Sequence, residues 1–175
     1  MTALSLTRPL PGEYDPYFER YTSLVPEADL ATAFRMQKEQ FPDMLRGVDD
    51  DRAGSRYAER KWTVREVVGH VVDTERVFGY RALCVARGET LSLPSMDENL
   101  YAANGGFEDV PLSLLLREFG ALRESHILMF EHMSPAALER KGLANQRPVT
   151  ARALALIMIG HCRHHMAILR ERYRV

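Results

Sequence analysis

Cysteine is nearly absent from this 175-residue chain, occurring only as Cys84 and Cys162 and never as a CxxC pair. Two separated thiols exclude a disulfide scaffold and imply reduced side chains in a cytoplasmic protein. An excess of one charge is also missing. Lys and Arg number 23 against 24 Asp and Glu, a net charge of −1, with no long run of either sign. That balance argues against an electrostatic grip on nucleic acid or on an acidic membrane surface. The most apolar stretch, Ala151 to Gly160, is too short to span a bilayer and runs straight into His161 and Arg163. The opening MTALSLTRPLPGEYDP lacks the basic start and apolar run of a signal peptide. Period-two alternation is scarce, which leaves a β-sheet little to grow from. These absences leave a soluble helical protein, and the length fits a single domain, 1–175, that buries its core without disulfides.

What is present is helical periodicity. Pro9, Pro11, Pro16 and Pro26 mark residues 1–27 as an extended lead-in lying over the surface. A first helix is expected from Leu30 to Leu45, burying Leu30, Phe34, Phe41 and Leu45, with a kink or early stop at Pro42. Thr63 and Glu66 form a capping box, and Trp62 and Val67 a hydrophobic staple, so a second helix starts there. It should run through Arg87 and end at Gly88. A third opens with Pro111 at its first position and reaches about Met133. A fourth follows the N-cap Thr150 and extends to about Arg172. Four amphipathic helices in one chain make a bundle. The 88–109 segment, with Asp97, Glu98, Asn99, Tyr101 and Asn104, is long enough to cross the bundle or to cover one end of it.

The chemistry-bearing signal is GHCRHH, Gly160 to His165. His161 and His165 are four residues apart and project from one helix face, the spacing by which the H-E-x-x-H motif offers two imidazoles to zinc. The glutamate of that motif is missing, so this is not that protease signature. Leu154, Met158 and Ile168 share the face, which places both histidines towards the core. On the second helix His70 lies on the buried stripe, beside a glycine, Gly69, that permits close approach. If the second and fourth helices are neighbours, three imidazoles meet and leave a coordination position open. Spacing alone also allows the plainer reading of hydrogen-bonded core histidines, and it does not exclude His164 as the ligand. His126 and His132 read as surface or edge residues.

The segments WTVREVVGHVVDTERVFGYRALCVARGE, Trp62 to Glu89, and TARALALIMIGHCRHHMAILRERY, Thr150 to Tyr173, resemble the DinB/YfiT-like family of metalloenzymes. The first is similar to the family's W-T-x-x-E-x-x-x-H-x-x-x-x-E pattern, the second to its closing H-x-x-H-H helix. The resemblance implies an all-α, DinB/YfiT-like four-helix bundle in up-down-down-up order, with a metal near one end of its cavity. It implies His70, His161 and His165 as ligands and leaves His164 outside the first coordination shell.

Imidazole suits several metals, of which zinc or nickel is expected here. Such a site can lower the pKa of water or polarise a substrate atom. Asp73, three residues after His70, is the candidate for orienting an imidazole or handling protons, or else a solvated carboxylate. Glu75 and Arg76 look better placed to pair with neighbours. Two functions compete: a metal-dependent enzyme acting on a small molecule, or a metal-binding stress-response module working by association. The enzyme would be a hydrolase or, as the resemblance suggests, an S-transferase or isomerase using a low-molecular-weight thiol. A cavity reaching the ion from solvent would favour the enzyme. The resemblance also implies a homodimer, for which the outer face of the third helix is available.

Overall fold

The computed structural model describes residues 6–175 and shows all four expected long helices. The lead-in is less extended than its prolines predict. Asp15 accepts a hydrogen bond from the Tyr17 N–H, starting a 3-10 turn at Pro16–Phe18 that passes into a one-turn helix, α1 (Glu19–Thr22). Residues 1–5 of the expected lead-in lie outside the described residues.

Helix α2 (Leu30–Leu45) is capped by the Asp29 carboxylate and buries the four expected apolar residues. Pro42 neither stops it early nor shortens it, because only one turn remains beyond the proline and little hydrogen bonding is lost there. A single turn, α3 (Asp50–Ala53), follows. Both bonds of the capping box start α4 (Val64–Arg87): Glu66 N–H donates to Thr63 Oγ1 at 3.0 Å, and Thr63 N–H to Glu66 Oε2 at 2.6 Å. Gly88 ends α4 in the left-handed conformation, at φ +92°. The segment beyond it holds α5 (Glu98–Asn104) and a 3-10 turn at Phe107–Asp109. Pro111 proves to be the N-cap of α6 (Leu112–Glu131) rather than its first residue, since its ψ of 131° is extended. After α7 (Pro135–Glu139) comes an unexpected antiparallel hairpin, β1 (Lys141–Ala144) and β2 (Arg147–Thr150), turning through Asn145 and Gln146 at positive φ. Thr150 then caps α8 (Ala151–Ile168), which closes in a π turn at Leu169–Tyr173.

Helices α2, α4, α6 and α8 form a four-helix bundle in which α4 and α2 each pack against both α6 and α8. Every residue from Ala151 to Gly160 is buried. The apolar run is therefore the inner wall of the bundle, and no described helix is long and apolar enough to cross a membrane. The third side of α8 is covered by α1. A Cβ on Gly160 would lie 2.2 Å from the Tyr21 carbonyl oxygen, so only glycine admits that approach. The lead-in is fastened through buried Glu13, which accepts from Thr150 Oγ1 at 2.9 Å and pairs with Arg152 at the start of α8.

Candidate metal centre

The capping box fixes where α4 begins and thereby which face it turns inward; seven residues on, that face presents His70. Thr150 does the same for α8 and brings His161 and His165 to the same point. The three imidazoles are buried, with ligand atoms all within 4.8 Å of one another. His161 Nε2 lies 3.1 Å from His70 Nε2 and 3.1 Å from His165 Nε2. Two nitrogens bound tetrahedrally at about 2.05 Å from one ion would stand about 3.3 Å apart.

Protons alone do not satisfy this arrangement. A neutral imidazole nitrogen carries either one N–H or one lone pair, so His161 Nε2 can satisfy one neighbour but not both. Protonation is disfavoured. Burial lowers the His70 pKa to about 4, with His164 adding to the effect. Burial and the neighbouring imidazoles likewise hold His161 and His165 well below the usual histidine value. His70 Nδ1 and His165 Nδ1 are buried without any hydrogen-bond partner. Three neutral, inward-pointing lone pairs fit a divalent ion that accepts all three.

The centre is reached from solvent. A cavity of about 110 Å³ exposes His70 and His161 beside Thr74, Phe78, Arg81 and Tyr21. A second opening exposes His165 among Tyr57, Trp62 and Tyr173. The segment after α4 contributes to both, Glu98 lining the first and Asn99 the second. Its Phe107 ring sits where a Cβ of Gly69 would be, 2.4 Å from Cγ, so the close approach expected at Gly69 is made by this ring. A glycine thus precedes both His70 and His161, and each admits the close approach of a neighbouring segment.

Other candidates fall elsewhere. His164 is half-buried outside the triad, edge-on to Tyr21 and His165. Asp73 stands 3.8 Å from Arg76, with its pKa raised by burial, and no hydrogen bond joins it to an imidazole among the described residues. Arg76 also pairs with Glu118, and Glu75 with Arg123, as neighbour pairing predicted. His132 is exposed and lies against the Leu128 carbonyl at 2.8 Å. His126 departs from its expected surface position: it is buried, with Nδ1 3.3 Å from Glu75 Oε2. The Glu75–Arg123 pair neutralises a pocket in which an imidazole can be buried. Both thiols are free, and burial pushes the Cys162 pKa up to about 12, which leaves it inert. Sequence reasoning missed Thr74, Phe78 and Arg81, although they follow His70 at helical spacing on one stripe of α4.

The sequence profile of the DinB superfamily matches residues 33–169. No curated protein is similar enough in sequence to count as a match. Among solved structures, YfiT from Bacillus subtilis is described as a probable metal-dependent hydrolase with an unusual four-helix bundle topology. It superposes with a TM-score of 0.78 at 19% identity, over 98% of this chain and 97% of its own. The mycothiol-dependent maleylpyruvate isomerase superposes with a TM-score of 0.66 at 17% identity, and this chain covers only 61% of it. At such identities the likeness is one of fold.

Proposed function

Since this chain belongs to the DinB superfamily, we propose that it is a metal-dependent enzyme whose ion is held by His70, His161 and His165. One observation carries the reading: three buried Nε2 atoms converge on a point where hydrogen bonding cannot satisfy them. Zinc or nickel suits an all-imidazole donor set. A divalent ion there would act as a Lewis acid, lowering the pKa of water or of a thiol, or polarising a substrate oxygen.

The chain's own residues bear on which use is made of it. His70 and His161 open to the first cavity and His165 to the second, so a small molecule can approach the centre from solvent. That access favours turnover over a closed, purely structural site. Aromatic side chains line both approaches, and Trp62 packs its ring 4.9 Å from that of His70, limiting water around the imidazoles. Inert Cys162 and remote, half-buried Cys84 leave any sulfur chemistry to an external thiol. Hydrolysis, the activity attributed to YfiT, and thiol-dependent transfer or isomerisation, suggested by the mycothiol-dependent relative, are the two reactions this centre fits.

Elemental analysis of protein purified without tag or chelator, with His70→Ala and His161→Ala variants alongside, tests the reading. About one ion per chain is expected in the wild type and close to none in either variant. A wild type that stays empty after zinc or nickel is added would overturn it.

A further inference from the structure

The cavity beside His70 and His161 has an uneven charge. Arg20, Arg81 and Arg147 line it, against a single carboxylate, Glu98. Arg147 is already paired with Asp15 at 2.5 Å and lies over the Tyr17 ring. Arg20 is exposed and rests on the rings of Tyr17 and Tyr21. Arg81 differs from both. It is 7% exposed, its Nη2 donates to the Pro94 carbonyl at 2.6 Å, and its guanidinium faces the Phe78 ring at 5.7 Å. Among the described residues no carboxylate pairs with it. A buried guanidinium is stable when an anion compensates it, and Arg–carboxylate pairs are favoured because the planar fork matches two oxygens. Burial already lowers the Arg81 pKa, the direction expected of a cation lacking such a counter-charge.

A second, independent observation points into the same space. Thr74 Oγ1 is buried, its residue 5% exposed, and it has no hydrogen-bond partner. In a helix a threonine hydroxyl often bonds back to the preceding turn; this one does not, and its residue lines the cavity. His70, Thr74, Phe78 and Arg81 lie on one stripe of α4, and all four line the cavity.

We propose that this cavity binds a small organic carboxylate, with Arg81 holding the carboxylate, Thr74 donating to the ligand, and Phe78 packing against its apolar body. This rests on the metal-enzyme reading only in making the bound molecule the substrate; the anion site itself stands on Arg81 and Thr74. The ligand's other end would face the triad.

Titration calorimetry with phenylacetate tests the proposal, using its neutral isostere phenylacetamide as control. Both metal-loaded and chelator-treated wild-type protein are used, with Arg81→Met, Arg81→Lys and Thr74→Val variants. Phenylacetate should bind in preference to the amide. Arg81→Met should weaken it at least about tenfold, Arg81→Lys less, and Thr74→Val roughly threefold, with metal content unchanged in all three. Arg81-dependent binding to protein that never takes up metal would support the anion site while removing the metal reading. Absence of phenylacetate binding to the wild type would overturn the proposal. So would equal binding of the amide, or a folded Arg81→Met protein with wild-type affinity. Should Arg81→Met fail to fold, unchanged affinity in both Thr74→Val and Arg81→Lys would overturn it equally.

Discussion

Helix α4 carries two buried polar clusters, originating at His70 and Glu75, and they are built on opposite terms. His70 meets His161 and His165 of α8, while Glu75 meets Arg123 and His126 of α6. In the second cluster opposite charges compensate each other. Arg123 Nε and Nη2 donate to the two Glu75 oxygens at 2.8 and 2.6 Å, and Nη2 also reaches the Met158 carbonyl at 3.2 Å. Its one unpartnered nitrogen, Nη1, belongs to a guanidinium stacked near the Phe34 and Phe119 rings. The triad has only uncharged groups of one kind facing each other. A buried cluster that satisfies itself is scaffold, whereas one left with convergent lone pairs is suited to an incoming ligand.

Breaking the scaffold cluster should have the largest effect. Glu75→Ala leaves Arg123 as an uncompensated buried cation and should destabilise the fold by about 3–5 kcal/mol in urea unfolding. A Glu75→Leu/Arg123→Met double variant should recover most of that loss. Metal content per folded chain should stay at the wild-type level in both. The triad should behave in the opposite way. Stripping the ion with a chelator should remove about 2.7 kcal/mol where free metal had stood at about a hundredfold its Kd. Thermal melts of His161→Ala should show no such difference.

The segment packed on Gly160 offers a finer test. Gly160→Ala places a Cβ against the Tyr21 backbone, which cannot swing aside as a side chain would. About 1–3 kcal/mol of destabilisation is expected, together with faster hydrogen exchange in residues 17–22. The smallest effect concerns acid. Burial tends to raise the Glu13 pKa, but hydrogen bonds from Arg152, the Leu10 N–H and Thr150 outweigh it and leave it below the usual 4.5. A group whose pKa is depressed by folding contributes stability above its unfolded value, and that contribution is lost as pH falls through the folded one. Denaturation midpoints should therefore drop below about pH 4.5, and less steeply in Glu13→Gln than in the wild type.

The long helices were legible because their ends carry specific chemistry: Thr63 with Glu66, Thr150, and Gly88. The three histidines were legible because helical spacing puts them on inward faces. The hairpin was not. Its strands are four residues each, one contains Pro148, and its turn is Asn145–Gln146 without the glycine that marks such turns. It is held instead by distant partners, Leu93 and Glu13, which no local pattern reveals. His126 was misplaced because Arg123 and Glu124 beside it look like a solvated face. The counter-signal was that Arg123 falls on the stripe of Phe119, Ile127 and Phe130.

Glu13 reaches Thr150 and Arg152 across 137 and 139 residues of chain, among the longest sequence separations in the fold. Closing so large a loop is entropically expensive and belongs late in folding. During synthesis Glu13 emerges long before its partners Thr150 and Arg152 exist, and the helix they open supplies two of the three imidazoles. The cluster of three imidazoles and the strap beside it are therefore completed by the same helix. Until that strap docks, the flank of α8 beside His161 lacks the cover that Tyr21 gives it in the finished protein.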